Sequence, residues 1–168
     1  MARWCKLVIA ISFCFLSGCL NHAAFQGGKL TKIKLAPLFY DYLAEFQELD
    51  LNKNGQYVSE FSGFPSTPYA WLDLHLSERF GNNQNEIISF TPQVTMELDT
   101  KNGKTICRVT GKLNHEWHLE SHIFRNPGCL SNVSVKRSQS YVLKITVEDA
   151  KEHLGTLPAR PRLYTVCC

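Results

Sequence analysis

A chain of 168 residues suits one domain, and its 44% hydrophobic content is enough to build a buried core. Its 18 basic and 15 acidic side chains leave a formal charge of +3, without the basic stripe or aromatic and arginine run that marks a nucleic-acid binder. The longest apolar run, Leu7 to Gly18, falls short of the roughly 20 residues that a membrane-spanning helix needs.

The chain opens with Arg3 and Lys6, followed by an apolar run from Leu7 to Leu16 and then Ser17-Gly18. A basic start, a short greasy stretch and small residues before a cut site make a secretory signal peptide over residues 1–18. The stretch Leu16-Ser17-Gly18-Cys19 resembles the lipobox of bacterial lipoproteins. The resemblance implies that Cys19 is the lipidation site and becomes the acylated first residue of the mature chain. Several acyl chains on one residue suffice for stable attachment, so the implied partner is a membrane, reached through the lipid anchor. Leu20 follows the cysteine where lipoproteins kept at the inner membrane usually carry Asp. By the same resemblance the expected location is the periplasmic face of the outer membrane. Losing Arg3 and Lys6 brings the mature chain close to neutral.

Residues 19–43 read as the lipidated cysteine and a tether that runs into the domain, with Gln26-Gly27-Gly28 as its flexible part. Lys29 to Leu38 alternates basic and apolar residues and stops near Pro37, as an edge strand does. Leu38 to Phe46 fits either a turn or two of helix or the start of a strand. From residue 44 to residue 168 the pattern is strand and turn. Phe46 to Leu51 is a short strand, Asn52-Lys53-Asn54-Gly55 a turn, and Gln56 to Phe61 the returning strand. Pro65 and Pro68 bracket a loop. Tyr69 to Leu76 alternates, with Ala70, Leu72, Leu74 and Leu76 on one side and Tyr69, Trp71, Asp73 and His75 on the other. Ile87 to Leu98 is interrupted by Pro92, giving two strands or one bent edge strand. Asp99 to Gly103 is a second hairpin turn. Thr105, Cys107 and Val109 then share a face, as do Trp117, Leu119 and Ile123. Asn126-Pro127-Gly128 turns the chain. Tyr141, Leu143, Ile145 and Val147 form the most regular alternation, and Arg160 to Val166 is the last strand.

Strands with one apolar face each must bury those faces against one another. The expected class is therefore all-β, an antiparallel β-sandwich of immunoglobulin-like or jelly-roll-like kind, with a small β-barrel as the other solution. Of seven cysteines, Cys5 and Cys14 leave with the signal peptide and Cys19 carries lipid. Cys107, Cys129, Cys167 and Cys168 remain as disulfide candidates in an oxidising compartment. Four thiols allow three pairings; Cys107 with Cys129 is favoured, because they flank two successive strands and close a loop worth about 3 kcal/mol.

Chemistry is sparsely signalled. His115, His118 and His122 lie in a run with Glu116 and Glu120, but the spacing is not that of a metalloprotease helix. Read as a strand, Glu116, His118, Glu120 and His122 line one face opposite Trp117 and Leu119. That face is either solvated surface or a weak metal site; no metal and no cofactor is expected. Neither a nucleophile elbow nor a phosphate loop occurs, and the chain is not read as an enzyme. Tyr69 and Trp71 are the candidate binding surface. They point outward if the Ala70 to Leu76 row is core, and are themselves core if the sheet is covered on both sides.

The body of the chain is similar to a group of uncharacterised bacterial lipoproteins with a β-sandwich domain. The likeness rests on Leu49, Gly55-Gln56-Tyr57, Tyr69-Ala70-Trp71-Leu72-Asp73-Leu74 and the strand Tyr141 to Val147. The expected function is a lipid-anchored periplasmic recognition protein with a protein partner, of the immunity type that captures a toxic effector. The other readings are an assembly lipoprotein of the envelope or a secretion system, and a sugar-binding module using Tyr69 and Trp71.

Overall fold

The computed structural model describes residues 24–36, 39–77, 87, 89–120, 122–126, 133–151 and 154–167. In chain order the strands are β1 (Lys29–Ala36), β2 (Phe39–Glu45), β3 (Leu49–Asp50), β4 (Gly55–Phe61), β5 (Thr67–Leu76), β6 (Gln93–Thr100), β7 (Thr105–Lys112), β8 (His118–Glu120), β9 (Ile123–Arg125), β10 (Val133–Val135), β11 (Tyr141–Glu148) and β12 (Pro158–Cys167). They form two antiparallel sheets that do not close into a barrel, so the fold is an all-β sandwich. The larger sheet runs β1-β2-β12-β5-β9-β8, with β10 also on β5 and β3 also on β12. The smaller runs β4-β11-β6-β7.

The alternations build this arrangement. Ala70, Leu72, Leu74 and Leu76 of β5 are buried against the inner face of the smaller sheet, where Val94, Met96 and Leu98 of β6 and Tyr141, Leu143, Ile145 and Val147 of β11 are buried in turn. On β5 the period-two pattern sends alternate side chains to opposite faces. The second hairpin is as expected: Thr100 N donates to Lys104 O at 2.8 Å, and Gly103 sits at φ 82° in the left-handed region that favours glycine.

Several expectations are corrected. Within the stretch read as a tether over 19–43, Lys29–Ala36 and the residues from Phe39 are sheet, because β1 pairs along β2 and β2 pairs along β12; β1 lies at the edge of the larger sheet, as the alternation from Lys29 suggests. Phe25 already packs on Phe61 and Phe64, with ring centroids 6.3 and 6.1 Å away. Gly27 makes this possible. A Cβ there would lie 1.9 Å from Glu60 O, and its φ is +94°. Leu38 to Phe46 resolves as strand, not helix, from Phe39 to Glu45.

The turn at Asn52 does not return a hairpin. β3 pairs with β12 in the larger sheet and β4 with β11 in the smaller, so the chain crosses between layers there. Asn52, 1% exposed, holds the crossing. Its Nδ2 donates to Lys151 O (2.8 Å) and Gly155 O (2.6 Å), and its Oδ1 accepts from Lys151 N (3.0 Å). The side chain thus ties this turn to the connection between β11 and β12.

β6 is central, between β11 and β7, and begins just after Pro92, so the chain before it is not a bent edge strand. The run from His115 is not one strand either. Residues 114–116 turn, Trp117 is fully buried with Nε1 donating to Val94 O at 3.2 Å, and only 118–120 is strand. Leu119 lies opposite Phe124, which is buried, so Ile123 faces away from Leu119 rather than sharing its side.

Cys107 on β7 is disulfide-bonded. Cys19, Cys129 and Cys168 lie outside the described residues, and Cys167 ends β12.

Asn52→Ala should lower stability by about 3 kcal/mol, because three partly buried hydrogen bonds go and Lys151 N and two carbonyls lose their partner. Urea denaturation of the two proteins measures this; a loss under about 0.5 kcal/mol would show that the crossing does not depend on the amide.

Candidate functional site

The outer face of the larger sheet carries Tyr69 and Trp71, 58% and 39% exposed. The Ala70 to Leu76 row is core, so of the two orientations open to these aromatics the outward one is found. Register places their neighbours. Tyr164 of β12 lies directly opposite Trp71, and Leu43 lies directly opposite Tyr164. The Trp71 and Tyr164 rings meet at 6.0 Å with their planes tilted by 45°, a favourable offset geometry. Tyr164 OH donates to Asp41 Oδ2. Burial and the adjacent Asp41 carboxylate push its pKa up to about 12, so the hydroxyl keeps its proton and holds the ring in place. At the start of the strand, Thr67 Oγ1 donates to Tyr69 O (2.8 Å) and accepts from Tyr69 N (3.1 Å).

A charged row lies beside the aromatics, two residues along each strand on the same face. Arg162 is opposite Asp73 on β5 and Glu45 on β2. Its Nε reaches Asp73 Oδ1 at 2.8 Å and its Nη2 reaches Asp73 Oδ2 at 3.2 Å, a two-point pair with fixed geometry. Asp73 is in turn opposite Arg125 on β9, whose Nη1 lies 2.5 Å from Glu120 Oε2 on β8. The Arg162 and Asp73 side chains are largely buried, 14% and 7% exposed, so their pair braces the strands beside the exposed Tyr69 and Trp71, while Arg125 and Glu120 stay accessible at the edge. Such a braced aromatic surface suits rigid recognition of a partner by stacking.

The three histidines separate. His115 and His118 border one open depression with Thr110, Glu116 and Asn126. Glu116 accepts from Lys112 N at 2.7 Å, and that hydrogen bond holds its carboxyl below the usual range. His122 turns instead toward His75 on β5, ring centroid to ring centroid 6.4 Å. Among the described residues no three His, Cys, Asp or Glu side chains gather as a metal-holding group. The candidate face thus joins Tyr69 and Trp71 to Tyr164, Arg162 and Asp73. Arg162 and Tyr164 were not singled out by sequence reasoning, although the alternation Arg160-Pro161-Arg162-Leu163-Tyr164 would have put both on one side of the strand.

His75 is half-buried next to this row. Burial, then the Arg162 cation, hold its imidazole below the usual 6.5. Asp73, Glu45 and His122 also face it, the carboxylates pulling upward and His122 downward. A depressed histidine pKa means the unfolded chain binds the proton more readily, so stability falls as pH drops below 6.5 toward the folded value. His75→Gln should flatten this part of the profile: urea midpoints of the variant should change less between about pH 7 and 5 than those of the parent. Parallel profiles would show that His75 does not contribute.

No family model matches the chain, and no curated protein matches it. Among solved structures, an arabinose-bound α-L-arabinofuranosidase is similar over 86% of this chain and 23% of its own, at 13% identity and a TM-score of 0.30. The chain spans about a quarter of that enzyme's length, and a likeness this slight carries no functional argument.

Proposed function

We propose that the protein is a lipid-anchored periplasmic recognition protein, attached through Cys19, that binds a protein partner on the outer face of its larger sheet. The sharper form is an immunity-type lipoprotein that neutralises a toxic effector. The observation that supports a recognition role is the exposed pair Tyr69 and Trp71, backed by Tyr164 and flanked by the Arg162 and Asp73 pair. Aromatic and arginine side chains held rigidly on strands lose little conformational freedom on binding, which is why they concentrate binding energy in protein interfaces. The support for the anchor is the stretch Leu16-Ser17-Gly18-Cys19 behind a basic and apolar leader.

Envelope assembly and sugar binding are the competing readings. A sugar ring would also stack on Trp71, so one variant separates them. Trp71→Ala should leave the fold within about 1 kcal/mol of the parent, since the ring is largely outside the core. It should weaken a one-to-one complex with the toxin encoded beside the gene by about 2 kcal/mol, roughly thirtyfold. Loss of retention on cell-wall polysaccharide would favour a sugar module. Unchanged binding to every partner would remove the face from the account. In parallel, Cys19→Ser should let the protein wash off membranes; continued retention of that variant would contradict the anchor.

A further inference from the structure

We propose that the end of the sandwich where the chain joins the fold is a docking surface for anionic phospholipid headgroups, and that it sets the orientation of the domain on the bilayer. The proposal rests on the lipid anchor at Cys19 and deepens that reading.

Direct contacts bring four segments together at this end. Gln26 and Ser62 exchange two backbone hydrogen bonds, at 3.1 and 3.2 Å. Lys101 N donates to Ser140 O at 2.9 Å, and Arg137 N donates to Ser66 Oγ at 2.9 Å. A surface hollow is lined jointly by Gln26, Glu60, Lys101 and Ser140. The leading segment is thus continuous with loops 62–66, 101–104 and 136–140.

The charge of those loops is one-sided. They carry Lys101, Lys104, Lys136 and Arg137 and no acidic residue. Lys101, Lys104 and Lys136 are exposed. Of the acids that border the leading segment, Glu60 is paired with Lys101 at 3.3 Å, Glu45 with Lys29 at 3.9 Å and Glu48 with Arg160 at 3.5 Å. Turns and strand ends away from this set are mixed: Lys53, Lys112 and Lys151 are accompanied by Glu116, Glu148 and Asp149. Basic residues close to an anionic surface are attracted to it within about a Debye length, roughly 8 Å at physiological salt.

Chain length brings this end to the membrane. Phe25 is held against the core by Phe61 and Phe64, and only five residues, Leu20 to Ala24, separate it from Cys19. Six steps of fully extended chain reach at most about 22 Å. A strand of eight residues such as β6 or β11 is itself about 27 Å long. The tether is shorter than the domain, so the surface around Phe25 stays beside the headgroups. Along this face the charge is complementary to an anionic lipid layer.

The test uses the full protein purified from membranes and reconstituted into vesicles, either of phosphatidylcholine alone or with about a third phosphatidylglycerol. Acetylation of amines is read residue by residue by mass spectrometry, and intact mass on the same sample reads the modification of Cys19. Lys101, Lys104 and Lys136 should become about threefold or more less reactive on the anionic vesicles and recover in roughly 0.5 M salt. Lys53, Lys112 and Lys151 should not change. Equal reactivity of the first three on both vesicles would overturn the proposal, as would protection at Lys53, Lys112 and Lys151 instead. Protection that needs added periplasmic protein, and not anionic lipid, would assign the surface to a protein and overturn it too. A lipidated Cys19 with no lysine protection defeats the docking surface alone. Protection with an unmodified Cys19 defeats the anchor alone.

Discussion

Phe61 is the contact through which the two layers and the start of the chain are joined. It belongs to β4 of the smaller sheet, yet its ring lies 5.1 Å from Phe46, which leaves β2 of the larger sheet. It stacks on Tyr141 of β11 at 5.2 Å with planes 22° apart, and meets Phe64 of the following loop at 6.4 Å. Phe25, before the first strand, completes the group at 6.3 Å. Aromatic pairs at such separations contribute about 0.5–1.5 kcal/mol each beyond the area they bury. The cluster therefore fixes more than packing. It decides at which end of the sandwich the chain enters the fold, and so which end the proposed anchor at Cys19 would bring to a membrane.

Inner and outer faces of the larger sheet divide the labour. The inner side of β5 is apolar throughout from Ala70 to Leu76, while Tyr69, Trp71, Asp73 and His75 point away from the core. Because the strands are locked from within, the outer side chains are held by cross-strand partners instead. Tyr164 is pinned by Asp41, Arg162 by Asp73, and Trp71 by Tyr164. Order on a solvent-facing sheet surface is what a recognition face requires, since side chains already held in place lose less freedom on binding. The smaller sheet shows a polar counterpart, with Lys144 reaching Asp99 at 2.6 Å and Glu97 at 3.2 Å.

Local patterns in the sequence disclosed what is locally determined. The two-residue periods of β5 and β11 and the turn at Asp99 to Gly103 state which side chains are buried and where the chain reverses. They do not state which strand becomes the neighbour. The turn at Asn52 shows the difference. Its residues favour reversal, but the side chain of Asn52 bonds to Lys151 and Gly155, about a hundred residues away, and the chain changes layer. The leading segment misled for the same reason. Gln26-Gly27-Gly28 looks flexible in isolation, yet Gly27 is there to let the backbone pass Glu60 closely. In the candidate face, Tyr69 and Trp71 were visible as one side of an alternation. Tyr164 and Arg162 joined them only through the pairing of β12 with β5, a contact across some ninety positions.

A membrane anchor, an ordered outer face and a basic end beside the chain's origin form one account only if Cys19 begins the mature protein. Intact-mass spectrometry of protein extracted from membranes measures this directly. The account predicts a chain that starts at Cys19 and carries a diacylglyceryl group on its sulfur; a chain that retains residues 1–18, or starts at an unmodified residue, would contradict it.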